Sequence, residues 1–168
     1  AWFPPKTSVV ELADMRMKFG LVIETAIVFN TEVLRRHPFP VIEGEHYMPE
    51  GSVYYDFRTP EMFHIYDDCF YRCEYRNEGL TKNIWTNWYC NPRGTRLSLR
   101  RRYGAACRYN SVWSLKERVS AISGIESLNI ALRKPWNEEF PLGVGFFEGI
   151  LCMPLAVYLC LIRYGGMV

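Results

Sequence analysis

The sequence predicts a mainly α chain: an irregular helical polar region containing a helical hairpin, followed by one C-terminal transmembrane helix. Three observations carry this expectation. Leu142 to Ile162 is a run of apolar and small residues with Glu148 as its only charged member, matching the ~20 residues a helix needs to cross a ~30 Å hydrocarbon core. Leu12, Met15, Phe19, Val22, Ala26, Phe29 and Val33 recur at alternating steps of three and four, the period of one helical face. Thr59-Pro60-Glu61 and Ser114-Leu-Lys-Glu117 carry helix-start chemistry. A buried core helix would also be apolar, but core helices of this length and purity are uncommon.

Composition bounds the rest. About 140 residues ahead of the apolar run can bury one core but hardly two. Twenty Lys and Arg against eighteen Asp and Glu give a net charge of +2, so the total makes no electrostatic case for nucleic acid. The cations are mostly arginine and aromatic residues make up 15% of the chain. Both are enriched where partners cover a surface.

Residues 1–37 read as one long amphipathic helix. Ser8-Val-Val-Glu11 has the spacing of a capping box, and Arg35, Arg36 and His37 put positive charge at the C-terminal end, before Pro38. Arg16, Lys18, Glu24 and Glu32 interrupt the segment too often for it to span a membrane. Residues 38–58 form a connector broken by Pro38, Pro40, Gly44, Pro49 and Gly51, with one short strand at Val53–Phe57.

Residues 59–92 are expected to fold as a helical hairpin. The first arm runs from Thr59-Pro60-Glu61 to about Glu78, and Gly79 stops it. Thr81 caps a second arm that ends before Pro92. A turn near Gly79–Leu80 brings Cys69 opposite Cys90. A turn two residues later brings Cys73 there instead. Either bridge closes a loop of roughly 20 residues, worth ~3 kcal/mol. A zinc site from His64, Cys69, Cys73 and Cys90 is a sharper alternative with no compact-finger spacing. Reduced cysteines acting as small hydrophobes are the plainer one.

Cys69-Phe-Tyr-Arg-Cys73, then sixteen residues, then Cys90 resembles part of the paired-cysteine helical hairpins of the mitochondrial intermembrane space, which use twin C-x3-C or C-x9-C motifs. The resemblance covers about 25 residues. Gly94 stands where a fourth cysteine belongs, so the family's import route does not carry over.

Residues 93–135 combine an arginine-rich segment with a helix. Arg93, Arg96, Arg100, Arg101, Arg102 and Arg108 lie among Tyr103, Tyr109 and Trp113. Such a mixture binds single-stranded nucleic acid by phosphate contact and stacking. Beside a membrane span it fits anionic headgroups or acidic partner loops better, so Arg100, Arg101 and Arg102 are the candidates for lipid or partner contact. Ser114 opens a helix with Leu115, Val119, Ile122, Leu128 and Leu132 on it, stopping before Pro135.

Residues 136–168 hold an interfacial linker with Trp136 and Phe140, then the span. Gly145, Gly149, Cys152, Ala156 and Cys160 form a stripe of small residues that admits a neighbouring helix. Glu148 cannot face lipid cheaply and is expected to point to a partner or to the interface. Gly145, Glu148, Gly149 and Ala156 are thus the candidate packing residues.

Searches for chemistry find no glycine-rich phosphate loop, no C-x-x-C-H, no H-E-x-x-H and no nucleophile elbow. No cofactor, metal or small-molecule substrate is expected. The overall plan resembles the accessory single-pass subunits of mitochondrial inner-membrane complexes, respiratory or ATP synthase. That resemblance implies a non-catalytic role in assembly, with other subunits as partners. A single-pass protein of the secretory pathway and a membrane-bound metal or haem enzyme are the alternatives. No Asn-x-Ser/Thr site exists in the chain, which speaks against the first of these. Arg133 and Lys134 outnumber Arg163 and favour a matrix or cytoplasmic polar part, whereas a disulfide would place it in an oxidising space.

Overall fold

The computed structural model describes residues 3–4, 6–22, 26–58, 60–66 and 81–167. It is mainly helical, with seven helices and one two-stranded sheet among these residues. In order they are β1 (Val9–Val10), α1 (Asp14–Met17), α2 (Thr31–Arg36), α3 (Gly51–Tyr54), β2 (Phe63–His64), α4 (Ile84–Cys90), α5 (Pro92–Ala106), α6 (Val112–Ala131) and α7 (Phe146–Tyr164). α7 is long and apolar enough to cross a membrane.

The expected long N-terminal helix is absent. Glycine decides this. Gly20 has φ +68, and Leu21 N–H donates back to Met15 C=O at 2.7 Å, a reversal of the chain that needs the left-handed conformation glycine adopts at no steric cost. A Cβ at Gly20 would sit inside the Trp113 ring, so this ending is also a tertiary contact. Upstream, Ser8 does not open a helix, because Val9 and Val10 pair antiparallel with His64 and Phe63. Asp14 accepts instead from Glu11 N–H. Downstream, α2 starts where the Asn30 side chain accepts from Glu32 and Val33 N–H.

The connector and hairpin also differ from expectation. Ser52 and Val53 are buried on α3, a helical turn rather than the start of a strand. Residues 67–80, with Cys69, Cys73 and the expected turn, lie outside the described residues, as does Thr59. No helix starts at Pro60-Glu61. Glu61 instead takes His37 Nε2 at 2.7 Å and Arg36 at 3.2 Å, and the chain then enters β2. The second arm exists as α4, but Thr81 does not cap it; Asn83 occupies that place with no side-chain bond.

α5 begins at Pro92, and its open N-terminus is satisfied from far away. Glu45 accepts from Arg93 and Gly94 N–H, both at 2.7 Å, a carboxylate at the positive end of the helix dipole. Asn91 Oδ1 accepts from His46 and Tyr47 N–H, pinning the connector to the α4–α5 joint. Gly94 is buried with Glu45 and Met48 about 3 Å from where a Cβ would stand. The chain could not place a cysteine side chain there without moving both.

α6 starts one turn earlier than expected. Its capping box is Ser111 with Ser114, and Ser111 Oγ also donates to Met17 C=O. Glu117 is thereby free of the cap and joins Arg102. From Ala121 to Asn129 every residue of α6 is buried, because α1, α4, α5 and α7 all pack on it.

α6 and α7 run parallel. Ser123 Oγ donates to Cys152 C=O at 3.3 Å, and Ala121 and Ile122 cluster with Cys152. Further along both helices, Leu128 and Ala131 cluster with Cys160 and Tyr164. A parallel partner obliges residues 132–145 to return along the helix they have just left. The turn at residues 136–139 is held by Asn129, whose Nδ2 donates to Trp136 C=O at 3.1 Å and Glu138 C=O at 2.9 Å.

This strap uses Gly149. A Cβ there would meet the Trp136 ring at 2.6 Å and Phe140 at 2.9 Å. Replacing Gly149 with Leu is therefore expected to lift the strap and lower stability by about 1–3 kcal/mol, the usual cost of overpacking. Urea unfolding of the full chain measures it; unchanged stability would mean the strap does not rest on this helix.

Candidate functional site

The small-residue stripe faces inward. Gly149, Cys152, Ala156, Cys160 and Tyr164 are the buried residues of α7; Gly149 seats the strap, and Cys152, Cys160 and Tyr164 pack on α6 of the same chain. Gly145 sits one residue before the helix, exposed, with open space where a side chain would be. Glu148 is half-buried and within electrostatic reach of Tyr103 on α5, so it faces the chain interior.

The opposite face is apolar and bare. Phe147 and Leu151 are each 80% exposed and Leu161 67%, with Phe146, Ile150, Leu155, Val157, Tyr158 and Ile162 exposed beside them. No charged residue is exposed on α7, and the exposed residues take about half of its circumference at the ~100° per residue of a helix. Scattered exposed leucines are ordinary, but a continuous surface of this kind marks an interaction site.

Both ends of α7 carry aromatic side chains from separate segments. At its start Trp136 lies 5.5 Å from Phe140 and 5.8 Å from Phe146 between ring centroids. At its end Tyr89 lies 6.1 Å from Tyr164, and the Arg163 guanidinium stands 4.2 Å from the Trp85 ring centre. Trp and Tyr favour the boundary between headgroups and acyl chains. Sequence reading located Trp136 and Phe140; Trp85 and Tyr89 were missed, because nothing local connects α4 with a helix some seventy residues later.

Behind α6 lies a polar network that engages the arginines expected to meet lipid or partner. Arg96 is 4% exposed; its Nε donates to Asn129 Oδ1 at 2.9 Å, and Glu138 and Glu139 stand 3.7 and 3.4 Å from it. Arg100 pairs with Glu139 at 3.0 Å. Arg101 pairs with Asp56 at 2.6 Å and donates to Ser52 C=O. Arg102 pairs with Glu117. Each of the three has an acid within the chain. Each guanidinium is thus held by an internal carboxylate in a charge-assisted contact.

Cys90 is a free, exposed thiol, so the expected bridge to Cys69 is not formed here; Cys107, Cys152 and Cys160 are also free. Among the described residues no group of three or more His, Cys, Asp or Glu is placed to hold a metal ion, and the zinc alternative finds no support from His64 and Cys90. An apolar cavity of about 550 Å³ lies against β1, β2 and α2, with Val10, Met15, Phe29, Val33 and Phe63 in its lining.

Glu126 is a buried titratable group on the same helix as Asn129. It is fully buried on α6 and neither carboxyl oxygen has a hydrogen-bond partner. Burial alone pushes its pKa from the ordinary 4.5 up to about 8, so near neutral pH the acid is largely protonated. An unfolded chain releases that proton near 4.5, so folding gains nothing below that value and loses stability as pH rises toward 8. Glu126→Gln removes the charge and should unfold at nearly constant temperature from about pH 5 to pH 9, whereas the wild type should fall behind by a few kcal/mol. Parallel melting curves for both chains would refute the buried, unpaired acid.

No family model matches the chain, and no curated protein or solved structure is detectably similar to it.

Proposed function

We propose that this chain is a non-catalytic structural subunit of a membrane assembly, attached to the membrane through α7. The observation that carries this reading is the bare outer face of α7, apolar from Phe146 to Ile162 without an exposed charge. Supporting it, the polar part is organised around internal ion pairs and caps rather than around convergent reactive groups. The plan of one apolar helix on an irregular helical polar part resembles the accessory subunits of respiratory complexes and ATP synthase. The mitochondrial inner membrane is accordingly the proposed location, and other subunits of such a complex are the proposed partners. Anionic lipid is a further contact.

Apolar contact is not screened by salt, whereas contact between exposed charges is. The tagged full chain should therefore stay with mitochondrial membranes through high-salt washing and, after mild detergent, co-purify with a fixed set of subunits. Release by salt would remove the membrane attachment. Recovery as a lone monomer, or turnover of a substrate by the isolated chain, would remove the subunit reading.

A further inference from the structure

The outer face of α7 and the ion cluster behind α6 sit at the same height along the helix. Gly124 to Asn129 lies between the levels of Cys152 and Cys160, since Ser123 meets Cys152 and Ala131 clusters with Cys160. At this level stand Arg96, Arg100, Glu138 and Glu139. The two glutamates are 32% and 34% exposed at their side chains. If α7 stood across a bilayer, this cluster would lie at mid-depth, where charged groups reaching hydrocarbon are most costly. α7 does not project from the polar part; it is packed on α6 along its length.

We propose that α7 lies along the membrane plane, with its outer face sunk among the acyl chains of one leaflet, and does not cross. This rests on the reading of α7 as the membrane attachment. The occupant is lipid. In this pose Phe147, Ile150, Leu151, Tyr158, Leu161 and Ile162 enter the acyl region to the ~5–10 Å depth of an interfacial helix, while α6 and the strap hold the ion cluster on the water side. Charge complementarity points to anionic headgroups. Arg118, within electrostatic reach of Tyr103, and Arg133 and Lys134, just past the α6 end that packs beside Tyr164, form no salt bridge among the described residues. A flat α7 brings both groups to one headgroup layer. A water-facing side, which a lone interfacial helix must supply from its own residues, is supplied here by the polar part packed behind α6.

The test adds the full chain, tagged at both ends, to preformed phosphatidylcholine vesicles containing cardiolipin, followed by flotation and external protease. Flotation with both tags removed is the expected result. Flotation with one tag protected means that α7 crosses; this inference then falls while the membrane reading stands. Failure to float, or self-association in place of flotation, removes the membrane reading itself. Leu151→Glu, at an exposed position that does not support the fold, should abolish flotation with the circular dichroism spectrum unchanged. Retained flotation would show that another surface binds the vesicles and would overturn the assignment of this face.

Discussion

The structure depends on the return of residues 132–145 along α6. Two helices adjacent in sequence with a short connection pack antiparallel; a parallel pair needs a connection as long as the helix. Here the connection is irregular, and its backbone polar groups require partners once it is pressed against a helix. Asn129 supplies two of them with one side-chain amide, and Arg96 and Arg100 hold the acids at the turn. Gly149 gives the Trp136 ring its seat. If the strap detached, α7 would have no reason to run beside α6.

The same return explains why α6 carries the mixed sequence it does. A helix covered on all sides is usually apolar throughout. α6 is covered but holds Ser123, Glu126, Ser127 and Asn129 in its buried stretch. Ser123 bonds α7 and Asn129 bonds the strap and Arg96, so these polar groups act as register marks between neighbouring elements. Ser127 bonds its own helix at Gly124 C=O. Glu126 stands apart, fully buried with no bond to either neighbour.

The arginines show how composition misleads. A run of three arginines beside aromatics reads as an outward patch, because charge at that density normally faces water or an anion. Each of the three here meets an acid from a different part of the chain: Asp56 after α3, Glu117 on α6 and Glu139 in the strap. None of these acids is nearer than fifteen residues, so no local spacing rule could have paired them.

The mainly helical class, the helix boundary at Pro92 and an apolar C-terminal helix were legible in the sequence, because proline geometry and a long uncharged run act through local physics alone. The apolar stripe from Leu12 to Val33 argued for one continuous helix, whereas the Trp113 ring over Gly20 and the β1–β2 pairing break it. The stripe of Gly145, Gly149, Cys152, Ala156 and Cys160 was expected to admit a neighbouring helix; all but Gly145 turn inward. Its occupant was decided by tertiary structure. Periodicity specifies which side of a helix is small, whereas the identity of the neighbour depends on where the chain returns, and that is set by Asn129, Arg96 and Trp136 acting together across the fold.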